Sequence, residues 1–229
     1  MFDGRFRAPV DKAVRPLGRL LRKTGLTPDH LTVVGILVGV GAAFAIGSGR
    51  LLLGLVLVIL AALPDLLDGA LAKATEAASQ RGAFFDSTVD RMTDAVLLGG
   101  VAWYFESAES PHMAMVPFAV MALSSLISYQ RAKAESLGLD AKGGLMERAE
   151  RVVLLCIGLV WEPLLVPVMW VMLVLTAITA VQRFVKVWRQ AQVAPVTLAR
   201  MELRRSRRQS RRVARAARRR TRVPRRRRP

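Results

Sequence analysis

The stretch Leu164–Val181 reads LLVPVMWVMLVLTAITAV and contains 18 residues without a charge. A helix needs about 20 mostly apolar residues to cross a bilayer, so this stretch predicts a transmembrane helix. Five more apolar stretches precede it, at residues 31–47, 51–72, 88–105, 113–129 and 152–160. These stretches favour helices over buried strands, because they are long and rich in leucine, alanine and glycine. The sequence therefore predicts an all-α integral membrane protein with six transmembrane helices, the fifth of which spans only if it includes the charged residues before Val152.

The positive charge of the chain is concentrated near its C-terminus. The 229 residues include 35 Lys and Arg and 17 Asp and Glu, a net charge of +18. Residues 196–229 hold 16 of the basic residues and one acid, which leaves 19 basic and 16 acidic residues, a net charge of +3, in residues 1–195. A body that is apolar and nearly neutral predicts lipid surroundings, rather than the soluble nucleic-acid binder that the total charge alone would suggest.

The connections between the apolar stretches predict the orientation in the membrane. The first, third and fifth connections contain one basic residue, Arg50, and three acids. The second and fourth connections contain seven basic residues: Lys73, Arg81, Arg131, Lys133, Lys142, Arg148 and Arg151. Because basic loops stay on the cytoplasmic side, we expect a multi-pass protein of the cell membrane with both termini and the even connections in the cytoplasm.

Three regions follow from these patterns. Residues 1–27 alternate basic and apolar residues at helical spacing, which predicts a juxtamembrane amphipathic helix on the cytoplasmic surface, with an ordinary solvated helix as the alternative. Residues 28–190 form the six-helix membrane domain. Residues 191–229 are rich in arginine and predict a disordered cytoplasmic tail. We expect the tail to adhere to anionic lipid, and nucleic acid is the less favoured partner because no aromatic residues interleave the arginines.

Four aspartates near the cytoplasmic ends of the second and third helices predict a metal site: Asp65, Asp68, Asp86 and Asp90. Spacings of three and four place each pair on one helical face. Charges in membrane spans mark function by default, and four convergent carboxylates would repel one another without a cation. Because no histidine or cysteine lies near them, the expected ion is Mg²⁺, with Mn²⁺ possible in its place. The alternative is salt bridging to Lys73, Arg81 and Arg91.

The segment from Asp65 to Asp90 resembles the signature of the CDP-alcohol phosphotransferases. It follows the pattern D-x2-D-G-x2-A-K-x8-G-x3-D-x3-D, with Lys73 where the family has arginine. The resemblance implies a membrane enzyme, usually a homodimer, that transfers a substituted phosphate from CDP-diacylglycerol to an alcohol and releases CMP. It also implies that the four aspartates hold the metal and that Asp90 is the general base. The residues that it implies for the CDP part of the donor are Asp29, Thr32, Gly69, Lys73 and Ser79.

The fourth connection indicates the acceptor. Residues 127–151, together with Val181–Arg183, are similar to the phosphatidylinositol phosphate synthases of actinobacteria, whose acceptor is inositol phosphate (1D-myo-inositol 3-phosphate). Phosphate requires a cationic pocket, for which the resemblance implies Arg131, Lys133, Arg148, Arg151 and Arg183. The alternative acceptor is glycerol 3-phosphate, which would give phosphatidylglycerol phosphate. The alternative for these five residues is that they only keep the connection on the cytoplasmic side and bind no ligand.

Two other classes of protein make different predictions. A cation transporter would distribute its acids through the depth of the membrane, whereas the four aspartates gather at one end. A membrane anchor that acts through its arginine tail would lose its function when residues 196–229 are deleted. An enzyme of the kind described would keep its turnover in detergent.

Overall fold

The computed structural model describes the backbone of residues 28–75, 80–108 and 111–192, and the side chains of residues 29–63, 80–108 and 112–192. Over these ranges the chain is helical, with short irregular connections and no strand. The helices are α1 (Pro28–Gly47), α2 (Leu51–Thr75), α3 (Gln80–Ser107), a 3₁₀ turn (Pro111–Ala114), α4 (Met115–Ser136), α5 (Arg148–Val160) and α6 (Glu162–Ala191). The prediction of an all-helical chain is confirmed.

The apolar stretches account for the positions of these helices. Each stretch lies in a helix of its own, except that the fourth begins in the 3₁₀ turn before α4. Charged residues, among them Arg148 and Arg151, extend the fifth stretch at its start, but α5 has 13 residues, fewer than the roughly 20 that a spanning helix needs. Among the residues that the structure describes, three helical segments are long and apolar enough to cross a membrane, namely Asp29–Gly47, His112–Ser136 and Glu162–Ala191. The count of six spans stays a prediction. The helix predicted at residues 1–27 and the tail from residue 193 lie outside the described residues.

Contacts between helices show that the bundle has two chemically different ends. At one end, Tyr104 near the end of α3 donates a hydrogen bond to Glu162 at the start of α6, at 2.5 Å. Phe44 near the end of α1 packs edge-on against Trp103 of α3. Away from that end, Asp94 in the middle of α3 pairs with Arg151 in the first turn of α5, and Arg183 near the end of α6 contacts α4. We call the part of the bundle that holds Asp90, Asp94, Arg148, Arg151 and Arg183 its charged end. The odd-numbered helices begin toward this end, and the even-numbered helices finish toward it.

Small residues let α1 and α3 approach closely. A Cβ atom added at Gly100 of α3 would lie 2.6 Å from the backbone oxygen of Ala43 in α1. The adjacent Gly99 has open space at the same point. Because only glycine avoids the overlap at position 100, this crossing fixes how the first and third helices pack.

Apolar side chains fill the interior and also cover the outside. The core includes Ile46, Val58, Val101, Leu159 and Met169. Many large apolar side chains are exposed along the same helices, including Leu37, Phe44, Trp170, Val174 and Ile178. Soluble monomers rarely expose apolar surface on this scale, so these outward faces are suited to contact with lipid.

The chain divides into two units, residues 1–184 and residues 185–229. All the functional residues discussed below that the structure describes lie in the first unit. The described part of the second unit is the end of α6 and the turn after it, residues 185–192.

Candidate functional site

A buried ion pair joins α3 to α5 at the charged end of the bundle. Arg151 Nη2 lies 2.6 Å from Asp94 Oδ2, and the two side chains are 7% and 11% exposed. Leu97, Leu155 and Met172 line a small cavity beside the pair. Since these walls are apolar, the carboxylate and the guanidinium interact in a setting where water screens them little. Each of the two groups depends on the other, because a buried charge without a partner is strongly destabilising.

Arg148, one turn before Arg151, bridges two aspartates of α3. Its Nη1 atom lies 2.7 Å from Asp90 Oδ1, and its Nε atom lies 3.3 Å from Asp94 Oδ1. Arg91 also approaches Asp90, at 3.7 Å. The structure therefore brings together a predicted metal ligand, Asp90, and two arginines predicted for the acceptor pocket, Arg148 and Arg151. Asp94 lies at the centre of this cluster.

Arg183, near the end of α6, contacts both α4 and the connection between α4 and α5. It donates from Nη1 to the carbonyl oxygen of Ile127 and from Nη2 to that of Gly143, both at 3.0 Å. Glu147 Oε1 lies 3.4 Å from Nη2. The side chain is 3% exposed, and its buried Nε atom has no hydrogen-bond partner among the described residues. Most of its donors are thus committed to holding the protein together.

A second contact fastens the same connection to α6. The backbone N–H of Met146 donates to Thr179 Oγ1 at 3.0 Å. Gly143 and Gly144 have backbone φ angles of 92° and 159°, which residues other than glycine rarely adopt. At Gly144 a Cβ atom would also lie 2.5 Å from the Thr179 methyl carbon. These contacts hold the backbone that leads into Glu147 and Arg148 in a defined path.

The remaining residues predicted for the acceptor pocket lie on α4. Arg131 pairs with Glu135 one turn later, at 3.1 Å, and both side chains are about half exposed. Lys133 is exposed. Arg131 and Arg151 both lie within electrostatic range of Arg183, and each repels its charge. Basic side chains from α4, α5 and α6 therefore gather at one end of the bundle, where each of the four arginines is also paired with a carboxylate.

The residues predicted for the donor and the metal are described only in part. Asp29 is in the first turn of α1, and Thr32, one turn later, is buried. Asp86 and Asp90 are one turn apart on α3, and both are partly exposed. Asp65, Asp68, Gly69 and Lys73 lie in the last turns of α2, where the side chains are outside the described set, and Ser79 is outside it altogether.

The described ligands of the predicted metal site are carboxylates of a kind that suits a hard divalent cation. Among the side chains that the structure describes, no three potential ligands converge, but two of the four predicted aspartates are not among these side chains. The two that are, Asp86 and Asp90, present carboxylate oxygens one turn apart on one helical face. An all-oxygen set of this kind suits Mg²⁺ or Mn²⁺.

The sequence interpretation missed three residues of this site. Asp94 continues the four-residue spacing of Asp86 and Asp90, so its position on their face was readable from the sequence. Glu147 and Thr179 have no such signal. Their roles depend on partners that are 36 and 33 residues away in the chain.

Comparison with known proteins adds the family context. A family model described as CDP-alcohol phosphatidyltransferase matches residues 25–182. The chain is 34% identical to the phosphatidylinositol phosphate synthase of Mycobacterium marinum over 192 residues, which is 80% of this chain and 82% of that protein. It is 35% identical to the enzyme of the same name from Corynebacterium glutamicum over 188 residues, 78% of this chain and 85% of that one.

Solved structures from Mycobacterium tuberculosis are also similar. The phosphatidylinositol phosphate synthase with CDP-DAG bound has a TM-score of 0.72 and 33% identity, and the match covers 77% of this chain and 94% of that one. The same enzyme in complex with manganese and citrate gives a TM-score of 0.71 at 33% identity, over 76% of this chain and 88% of that one.

Proposed function

Because the chain belongs to the CDP-alcohol phosphatidyltransferase family, we propose that it transfers the phosphatidyl group of CDP-diacylglycerol to inositol phosphate and releases CMP. The observation that carries this proposal is the arginine cluster at the charged end of the bundle. Arg148 and Arg151 lie beside Asp90, the residue that matches the last aspartate of the family signature. A phosphorylated acceptor held by these arginines would have its hydroxyl groups close to that carboxylate.

Asp90 is the proposed general base. In this role it accepts the proton of the acceptor hydroxyl that attacks the phosphorus atom of the donor, and CMP leaves as the phosphate ester forms. A carboxylate positioned within hydrogen-bond reach of the hydroxyl can supply a rate factor of about 10²–10⁴. Its partial exposure supports this role, because the acceptor must be able to reach it.

The proposed metal ligands are Asp65, Asp68, Asp86 and Asp90. A divalent cation held by them would neutralise charge on the phosphate groups of the donor. In this proposal the chain's own contribution would be to bring the last turns of α2 to the first half of α3, where Asp86 and Asp90 lie. Mg²⁺ is the proposed physiological ion, and the manganese complex of the M. tuberculosis enzyme supports a divalent metal in general.

The donor and the acceptor are proposed to bind at different parts of the charged end of the bundle. Asp29, Thr32, Gly69, Lys73 and Ser79 are the proposed contacts to the CDP part. The first turns of α1 and the last turns of α2 carry the first four, and Ser79 follows α2. We assign the acceptor phosphate to Arg148 and Arg151, with Arg131 and Lys133 at the exposed edge.

Arg183 has a different proposed part in the acceptor site. Its Nη atoms already donate to Ile127 and Gly143, so its contribution is its positive charge and the shape of the connection that it holds. It acts on the acceptor mainly through the backbone that presents Arg148. The homodimer that the resemblance implies is a further part of the proposal, and the mass of the purified protein in detergent tests it.

The test is CMP release by the purified protein with CDP-diacylglycerol and Mg²⁺. Three acceptors are compared: inositol phosphate, free inositol and glycerol 3-phosphate. We expect release with inositol phosphate, little with free inositol because the arginines lack a phosphate to bind, and none after the metal is chelated. Release with glycerol 3-phosphate alone would retain the reaction class and overturn the acceptor.

A further inference from the structure

We infer that Arg148 is an exchangeable internal counter-ion, which neutralises Asp90 while the acceptor is absent and turns to the acceptor phosphate when it binds. The inference rests on the proposed function, because it takes Asp90 as a metal ligand and a phosphate monoester as the acceptor. Its consequence is that the phosphorylated acceptor and the divalent cation bind cooperatively.

The two arginines of the cluster differ in how firmly they are held. Arg151 is 7% exposed and makes a 2.6 Å contact with Asp94. Arg148 is 25% exposed and divides its guanidinium between Asp90, at 2.7 Å, and Asp94, at 3.3 Å. Arg151 therefore has a fixed position, whereas Arg148 is accessible and can give up one contact while it keeps the other.

The charges of the cluster require such an exchange. Asp90 and Asp94 together carry two negative charges, and Arg148 and Arg151 carry two positive ones, so these four side chains are neutral by themselves. Arg91 is a weaker third cation, because it lies 3.7 Å from Asp90 and is 39% exposed. With a divalent cation on Asp90, the guanidinium of Arg148 would face a like charge at close range in a poorly screened site. A phosphate monoester brings between one and two negative charges, which gives Arg148 a new partner when it leaves Asp90.

Asp94 makes the exchange a short movement. The Nε atom of Arg148 points to Asp94, so the side chain can stay attached there while its Nη1 atom changes partner. The planar fork of the guanidinium allows contacts with a carboxylate and a phosphate at the same time. Asp94 is thus a positioning residue for both arginines, and Arg148 is the one that moves.

Thermodynamic linkage between the two binding sites sets how strongly the acceptor and the metal affect each other's binding. If the acceptor tightens metal binding by some factor, the metal must tighten acceptor binding by the same factor. Couplings of this kind are typically about 5- to 150-fold. We expect a factor of roughly 10 here, because one ion pair is exchanged for another.

The experiment measures Mn²⁺ binding to the full-length protein in detergent, by electron paramagnetic resonance, without CDP-diacylglycerol so that no turnover occurs. Mn²⁺ is titrated alone, with inositol phosphate, with inorganic phosphate and with free inositol. For the unmodified protein we expect inositol phosphate to tighten Mn²⁺ binding by roughly 10-fold. Inorganic phosphate should tighten it less, and free inositol should have no effect.

The Arg148→Gln variant removes the internal counter-ion and keeps a polar side chain of similar length. Mn²⁺ alone should therefore bind the variant more tightly than it binds the unmodified protein. Inositol phosphate should then change Mn²⁺ binding less than about twofold, in place of the roughly 10-fold change expected with Arg148. Weaker Mn²⁺ binding to the variant, or an unchanged coupling, would overturn the inference.

Two further variants complete the test. Arg148→Lys keeps the charge but cannot reach both aspartates with a fork, so it should retain the competition for Asp90 and show an intermediate coupling. If Arg148→Gln does not fold, the lysine variant decides the question, and a coupling equal to that of the unmodified protein would overturn the inference. Arg50→Gln, at the opposite end of the bundle, is the matched control and should leave both Mn²⁺ titrations unchanged.

The acceptor identity can fail without the exchange failing. If glycerol 3-phosphate supports CMP release and inositol phosphate does not, the same titration with glycerol 3-phosphate should show the coupling and its loss in Arg148→Gln. If neither phosphorylated compound changes Mn²⁺ binding to the unmodified protein, the exchange itself is wrong, whatever the enzyme assay shows.

Discussion

At the scale of single residues, the proposed chemistry depends most on Asp90. We predict that Asp90→Asn lowers kcat by about 10²–10⁴, because the amide has the same shape but cannot accept the proton of the acceptor. Affinity for CDP-diacylglycerol should change by no more than about threefold, because the remaining aspartates and the contacts to CDP persist. The measurements are CMP release and binding of the donor to the same preparation.

The control for this variant is Asp140→Asn, in the exposed connection after α4, which should retain its turnover. Near-normal turnover in Asp90→Asn would contradict the assignment of the base. Loss of activity in both variants would point to a general effect of lost negative charge.

Arg151 gives a different kinetic signature. We predict that Arg151→Ala raises the KM for the acceptor by about 10- to 100-fold, the equivalent of one charge-assisted hydrogen bond of about 1.5–3 kcal/mol. The KM for the donor should change little. Stability should also fall, because Asp94 loses its shortest partner in a buried setting.

Separate KM values for the two substrates check this prediction, with Arg50→Ala as the matched control at the other end of the bundle. Equal effects on both KM values would remove Arg151 from the acceptor site. A fall in stability alone would leave it as a purely structural ion pair.

The residues that sequence could and could not predict differ in a physical way. Asp90 belongs to a pattern with fixed spacing along two consecutive helices, and Arg151 lies in a local stretch of basic residues. Both patterns are visible in the order of the amino acids. The partners of Arg183 are carbonyl oxygens of Ile127 and Gly143, groups that every residue carries, so only the folded chain identifies them.

At the scale of the helices, the apolar stretches predicted each helix because burial and contact with lipid both favour apolar side chains. The bounds were less accurate where charged residues belong to a helix, as at the start of α5 and the end of α4. Hydropathy places a boundary at such residues, whereas backbone hydrogen bonding carries the helix through them. The path of residues 137–147 was not predictable, since it depends on contacts with α6.

Two neighbouring glycines test the packing of α1 against α3. We predict that Gly100→Ala destabilises the protein by about 1–3 kcal/mol, because its Cβ would lie 2.6 Å from the Ala43 oxygen. Gly99→Ala should be neutral, or stabilising by up to about 1 kcal/mol, because it has open space and alanine is the better helix former. Thermal unfolding in detergent measures both.

The pair is informative because the two substitutions are chemically identical and one residue apart. Equal shifts in the midpoint temperature would mean that α1 and α3 do not cross at Gly100. Both variants should have the same KM for the acceptor, because the crossing of α1 and α3 is away from the arginine cluster.

At the scale of the whole molecule, charge separates a nearly neutral membrane body from a strongly basic C-terminal segment. Residues 196–229 contain 16 arginines and one acid. Attraction to an anionic bilayer is about 1 kcal/mol for each basic residue near the surface. The family signature lies wholly within residues 65–90, so catalysis should not depend on the tail.

We predict that deletion of residues 196–229 leaves turnover in detergent within about twofold of the full chain. In nanodiscs, trypsin should cleave the tail of the full chain more slowly when the lipids are anionic than when they are neutral. About 0.5 M salt should remove most of this difference by screening. Equal cleavage rates in both lipids would contradict adhesion to lipid, and a large loss of turnover would give the tail a part in catalysis.

The claim that the acceptor is inositol phosphate, and not glycerol 3-phosphate, is tested by a competition between the two within one reaction. The purified protein receives CDP-diacylglycerol, Mg²⁺ and equal concentrations of inositol phosphate and glycerol 3-phosphate, and mass spectrometry of the lipid products gives the ratio of the two kcat/KM values. We predict that phosphatidylinositol phosphate exceeds phosphatidylglycerol phosphate by at least about 10-fold. A product that is mainly phosphatidylglycerol phosphate would contradict the claim.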